Sequence, residues 1–172
     1  GLPYRRRMTG HDAPELDVVE WIGTARPLAS LRGQVVLLEA FQMLCPGCVD
    51  HALPQAKRVH QLFRQVQVVG LHTVFEHHAV TGPDALRVFL SEFRYGFPVA
   101  VDRHEPGQTM PVTMRRYDLQ GTPSTVLIDR AGRVRLKHLG AMDDLALGAN
   151  LGMLLAEPAP GSDDPDPAPA DV

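Results

Sequence analysis

The chain alternates between short, almost unbroken apolar runs and longer stretches in which apolar residues return every three or four positions. Val35-Val36-Leu37-Leu38-Glu39-Ala40-Phe41 is the clearest run. Bounded by Gly33 and broken only by Glu39, it predicts a strand covered on both faces, as in a parallel sheet. Val49, Ala52, Leu53, Ala56, Val59, Leu62 and Phe63 follow at helical spacing, with Pro46 suited to the first helical position and Pro54 placed to kink the helix. Val66 to Leu71 predicts a second buried strand. A strand-helix-strand unit of this length forms a right-handed parallel crossover, so both strands end at one edge of the sheet.

Weaker patterns flank this unit. Leu16 to Trp21 and Pro27 to Leu31 are short apolar stretches split by Gly23, which predicts edge strands or a hairpin before the main sheet. Leu86, Phe89, Leu90 and Phe93 keep helical spacing behind the start signal Gly82-Pro83-Asp84. Phe97 to Asp102 predicts a short strand and Thr109 to Tyr117 a short helix. Ser124 to Ile128 and Val134 to Leu139 predict two strands joined by the turn Asp129-Arg130-Ala131-Gly132. Leu145, Leu147, Leu151 and Leu154 suggest a closing helix, weakened by Gly148 and Gly152. Trp21, Phe41, Phe63, Phe89 and Phe93 are expected to fill the core.

Length and charge set the limits. The 172 residues suit one domain with a proper core and fall short of two. Residues 1–12, carrying Arg5, Arg6 and Arg7, are expected to be a flexible lead-in, 13–156 the folded domain, and 157–172 a disordered acidic, proline-rich tail. The net charge is -3, and five acids in the last 16 residues leave residues 1–156 at +2, so no nucleic-acid partner is expected. No apolar run approaches the roughly 18 residues of a membrane span, and no export signal opens the chain. A cytoplasmic location follows as the expectation, with a periplasmic or other extracytoplasmic one open if an upstream signal has been removed, since the sequence begins Gly-Leu-Pro-Tyr.

The two cysteines, Cys45 and Cys48, stand as Cys-Pro-Gly-Cys, too few for a disulfide scaffold and spaced for a site. A thiol attacks only as thiolate, and a helix start offers unpaired N–H groups and partial positive charge that stabilise one. Cys45 is therefore the expected nucleophile, and Cys48, one turn on and more buried, the resolving thiol. A buried thiol needs a proton acceptor. Glu39, in the apolar strand six residues before Cys45, is expected to be that base for Cys48, directly or through water. The alternative places Glu39 at an edge or in an ion pair with an arginine.

Leu31-Arg32-Gly33-Gln34-Val35-Val36-Leu37-Leu38-Glu39-Ala40-Phe41 leading into Cys45-Pro46-Gly47-Cys48, with Tyr117-Asp118-Leu119-Gln120-Gly121-Thr122-Pro123-Ser124-Thr125-Val126-Leu127-Ile128-Asp129 later on, resembles the thioredoxin-like superfamily. The resemblance is greatest to redoxin domains of the TlpA type, related to the AhpC/TSA group, and covers about residues 13–155. It implies an α/β thioredoxin-like fold, a central mixed sheet flanked by helices, with a redoxin-type insertion in the 74 residues between Cys48 and Pro123. It also implies a cis-proline at Pro123 facing the disulfide, the backbone of Thr122 available to an extended substrate, and Glu39 at the position of thioredoxin's buried acid. Pro46, Gly47, Thr122 and Pro123 become the expected substrate-binding surface. Leu44 replaces the aromatic usual before the first cysteine, and Pro54 stands one residue later than the family's helix proline.

The expected activity is thiol-disulfide exchange, favoured in the reductase direction, with a disulfide-bearing protein or small thiol as substrate, an external dithiol to recharge the pair, and no bound cofactor or metal. Two other readings use the same residues. Cys45, Cys48, His51 and the histidines at 72, 77 and 78 could form a metal-binding or metal-delivery module. A thiol peroxidase would want Pro seven and Thr three residues before the attacking cysteine, where Leu38 and Gln42 stand. His72, Glu76, His77 and His78 are either a lining or proton route beside Cys45 or a polar loop with one packed histidine.

Overall fold

A computed structural model describes residues 10–161. Its centre is a seven-stranded mixed sheet in the order β1-β7-β6-β3-β4-β5-β2. β3 (Val35–Phe41) is central and buried at every position. It runs parallel to β4 (Val66–His72) on one side and antiparallel to β6 (Ser124–Ile128) on the other. The near-continuous apolar run thus reports burial on both faces, not an all-parallel sheet. β5 (Val99–Asp102) continues the parallel part. β7 (Arg133–Leu139) extends β6 through a tight turn in which Asp129 Oδ1 accepts from the N–H groups of Ala131 and Arg133, and Gly132 takes φ +77°.

Alternation along β3 divides the core in two. Val35, Leu37 and Phe41 face one layer with Cys48, α1 (Leu53–Leu62), α2 (Pro83–Glu92) and α4 (Asp144–Ala156). Val36, Leu38 and Ala40 face the other with Leu16, Met114 and Tyr117, where α3 (Val112–Arg116) packs. α4 begins on Asp143, whose side chain accepts from the N–H groups of Leu145 and Ala146. This cap helps hold a helix whose glycines weaken it.

Several elements differ from the pattern-based expectations. Residues 27–31 do not form a strand or hairpin. Leu28–Leu31 is a 3-10 turn, because the Glu15 carboxylate accepts from the N–H groups of Leu28 (2.8 Å) and Ala29 (2.9 Å) behind Pro27, while Leu28 and Leu31 turn inward three residues apart. β2 (Val18–Ile22) is an edge strand, paired antiparallel with β5. α3 starts only after Pro111 and is shorter than the apolar pattern suggested. Phe93, at the end of α2, is half exposed and stacks on Tyr95. Much of the expected lead-in and tail lies outside the described residues. His11–Asp12, within that lead-in, forms the short strand β1 against β7, and Glu157, first residue of that tail, pairs with Arg135.

Candidate active site

The β3 strand delivers Gln42 and the two cysteines to its carboxyl edge. The chain turns helical at Pro46, then widens into a π turn over Cys48–Ala52 before α1 begins. The cause is Pro54, which has no N–H to offer the carbonyl of Asp50 and whose ring needs room behind it. In the widened turn the Leu53 N–H reaches back to the Cys48 carbonyl.

Cys45 is half-buried and Cys48 fully buried, both as free thiols. The Cys45 sulfur lies 3.4 Å from the backbone N–H nitrogen of Cys48 and 3.4 Å from the carbonyl oxygen of Thr122. The Thr122–Pro123 peptide is cis. Gly47 packs on that proline so closely that a Cβ at residue 47 would come within 3.2 Å of Pro123 Cδ. Pro46 is exposed, Gly47 and Thr122 are half-buried, and Pro123 is buried. The four residues expected to form the substrate surface therefore surround Cys45.

Burial pushes the Cys48 thiol well up, and the neighbouring Cys45 side chain pushes it further. The backbone of Gln42 and the side chain of Thr122 act in the opposite direction on the same sulfur. Glu39 is 1% exposed in the middle of β3, on the face that carries Cys48, so it is neither at an edge nor ion-paired among the described residues. Its Oε2 accepts from Thr125 Oγ1 at 2.8 Å, and its buried Oε1 has no partner among the described residues. Burial raises its carboxyl well above the usual range, against the smaller lowering effect of Thr125.

Two residues matter more than their sequence context suggested. His72 was expected just beyond the strand, yet it closes β4 opposite Phe41 and is 1% exposed. Its Nε2 accepts from the Met43 N–H at 3.3 Å, and burial lowers the imidazole to about 4. Gln42 is buried and joins three segments. Its Oε1 accepts from the N–H groups of Phe75 (3.1 Å) and Glu76 (3.2 Å), and its Nε2 donates to Thr122 Oγ1 at 3.3 Å. The one available signal was a polar residue directly after a fully apolar strand and three places before Cys45. This commitment of the amide also leaves it unlike the threonine of a peroxide site, which must face its cysteine.

The other histidines disperse. His77 and His78 are exposed, His78 lies against His104, and His51 Nε2 meets the Met142 carbonyl oxygen. Among the described residues no three His, Cys, Asp or Glu side chains come together in a way that could hold a metal ion. The metal-module reading thus lacks its ligand set there.

Comparison with known proteins agrees with this arrangement. One similar solved structure is a thioredoxin-like superfamily protein, 50% identical, with a TM-score of 0.83 over 87% of this chain and 99% of that one. Another is a thiol-disulfide isomerase from Corynebacterium glutamicum, 53% identical, with a TM-score of 0.81 over 85% of this chain and 98% of that one. A curated relative, the thiol:disulfide interchange protein DsbE of Allochromatium vinosum, is 29% identical over 114 residues, which is 66% of this chain and 55% of that protein. The chain spans 22 to 55% of the length of the curated relatives it matches. The fold is thioredoxin-like, and residues 9–137 match the AhpC/TSA family. With a cysteine pair at a helix start, facing a cis-proline across a mixed sheet edge, the chain belongs to the AhpC/TSA family.

Proposed function

We propose that this protein is a thiol-disulfide oxidoreductase that reduces disulfides in partner proteins or the disulfide forms of small thiols. The observation that carries this is the half-buried Cys45 sulfur, 3.4 Å from the Thr122 carbonyl oxygen, with Cys48 sealed behind it. Thiol-disulfide exchange needs one reachable sulfur, one protected sulfur, and a backbone edge for the incoming chain. Relatives named for thiol-disulfide isomerisation and interchange support the same class.

The Cys45 thiolate attacks one sulfur of the partner disulfide, and the partner's other sulfur leaves with the electron pair. The partner's backbone pairs beside Thr122, whose N–H has no acceptor within the described residues, while Pro46, Gly47 and Pro123 form the floor. Cys48 then loses its proton to Glu39, directly or through water. A carboxylate with a raised pKa is a better proton acceptor for a thiol than an ordinary one. The Cys48 thiolate attacks Cys45, the reduced partner leaves, and an external dithiol restores the pair.

The cytoplasmic expectation receives no support from these relatives. An extracytoplasmic setting suits proteins named for thiol:disulfide interchange better, since disulfides persist in oxidising compartments. Among the described residues no helix is long and apolar enough to cross a membrane.

The test is trapping. Cys48→Ser is expected to accumulate a mixed disulfide on Cys45 with a disulfide-bearing substrate, and Cys45→Ser to form none. Redox titration of the wild-type pair against glutathione should show one two-electron transition, and its midpoint gives the direction of flow. Stoichiometric zinc on the reduced protein, with no disulfide formed, would replace this reading by the metal one.

A further inference from the structure

The Gln42 side chain links two walls of the site. Its oxygen faces the N–H groups of Phe75 (3.1 Å) and Glu76 (3.2 Å), so its nitrogen is the atom that meets Thr122 Oγ1, at 3.3 Å, and the amide is the donor there. The wall on the Phe75 side is anchored without it. The Thr73 N–H donates to the Phe41 carbonyl at 3.0 Å, and Thr73 Oγ1 donates at 3.0 Å to the Asp102 carboxylate, which also accepts from the N–H groups of Thr113 and Met114. Thr122 is therefore the end of the link that gains a fixed position.

Thr122 needs such a link because the bond it receives from Cys45 is temporary. The Cys45 thiol donates to the Thr122 carbonyl oxygen at 3.4 Å. A thiolate has no proton to donate, and neither has a sulfur in a mixed disulfide, so that bond lapses as Cys45 reacts. The bond from Gln42 contains no reacting atom. It holds from the free protein to the mixed disulfide, the interval in which a partner chain lies along the Thr122 backbone.

We propose that Gln42 is a positioning residue for partner binding: its amide ties Thr122 to the Phe75–Glu76 segment and keeps the Thr122 peptide in place for the partner chain while Cys45 is a thiolate or a mixed disulfide. This rests on the exchange chemistry proposed above and assigns one residue to its selectivity for peptides. A small disulfide needs only the Cys45 sulfur, whereas an extended peptide also needs the backbone edge beside it. A Thr122 free to drift therefore weakens binding of the peptide and spares the small molecule.

Two probes that share their reacting atoms test this. One is a short peptide whose single cysteine is disulfide-bonded to an aromatic thiol, and the other is mercaptoethanol bonded to the same thiol. The Cys45 thiolate attacks the aliphatic sulfur in each, a bond forms between the two sulfurs, and the aromatic thiolate leaves with the electron pair as a coloured product. Stopped-flow rates on the reduced full chain give a half-saturating concentration and limiting rate for the peptide, and a second-order constant for the small probe. Thr122→Val removes the acceptor and leaves the bonds from Gln42 to Phe75 and Glu76 in place. Thr122→Ser keeps the hydroxyl. Gln42→Met removes the amide at similar length, and a fourth variant joins Gln42→Met to Thr122→Val.

Thr122→Val and Gln42→Met are each expected to raise the half-saturating peptide concentration about fivefold, as for one lost hydrogen bond, with the limiting rate and the small-probe constant changed by less than about twofold. Thr122→Ser should stay within about twofold of the wild type, and the double variant should bind no worse than the weaker single one, because both remove the same link. An unchanged half-saturation in Thr122→Val, an equal loss on both probes, or multiplied losses in the double variant overturns the role given to Gln42. A wild type that releases the aromatic thiolate from neither probe overturns the exchange reading itself, a different result.

Discussion

Gly47 and Pro123 touch across the active site with no space for a side chain between them: a Cβ on residue 47 would approach Pro123 Cδ to 3.2 Å. Alanine there demands a shift of a few tenths of an ångström, and valine a larger one that displaces the cis-proline loop. Gly47→Val is expected to slow attack on a peptide disulfide at least about tenfold while attack on a small aromatic disulfide changes little, since only the peptide needs the floor formed by Pro123. Parallel rates with the two substrates check this, and equal slowing would show that the cysteine itself had moved.

Glu39 gives the protein an acid-favoured component of stability. Its folded pKa is raised, so unfolding releases a proton at any pH between the ordinary carboxyl value of 4.5 and that raised value. Stability from this group is fully present below about 4.5 and is lost as pH rises above it. Glu39→Gln removes the dependence. The variant should gain on the wild type as pH rises above about 4.5, by at most about 1.4 kcal/mol per pH unit, until the raised value is passed, in denaturant titrations. The same variant is expected to resolve its mixed disulfide more slowly, which separates a proton acceptor from a merely buried acid.

His72 has the opposite sign. Its folded pKa is lowered from 6.5 to about 4, so the unfolded chain binds the extra proton between those values. Stability from this group is present above pH 6.5 and falls as pH drops toward 4. Protonation would also set a donor against the Met43 N–H that Nε2 now accepts. His72→Leu leaves that half-buried N–H without its imidazole partner, at a cost of about 1 kcal/mol near neutral pH, and removes the acid slope. The gap between wild type and variant should therefore narrow from pH 7 to pH 5.

Features carried by local pattern were legible in the sequence. The run from Val35 to Phe41 announced a doubly covered strand, and the Cys-Pro-Gly-Cys motif behind it announced a helix start, because burial and helix entry leave marks within a few residues. Features held by distant partners were not. The turn at Leu28–Leu31 depends on the carboxylate of Glu15, thirteen residues away. The bonds made by the Gln42 side chain reach segments 33, 34 and 80 residues on. His72 is buried because register sets it opposite Phe41, and register is a property of the paired strands together. The π turn depends on Pro54, which was visible, although whether a proline bends or widens a helix depends on what packs against it.

The order β1-β7-β6-β3-β4-β5-β2 puts His11–Asp12 on one outer edge of the sheet and Val18–Ile22 on the other. One twelve-residue stretch, His11 to Ile22, therefore covers the outer edge of β5 from Val99 to Asp102 and that of β7 at Arg133 and Val134. Exposed edges are templates for pairing with other chains. A single proteolytic cut just after Ile22 that released everything before it would bare the outer edge of β5 and the start of β7 together, opening the sheet to stacking on both sides.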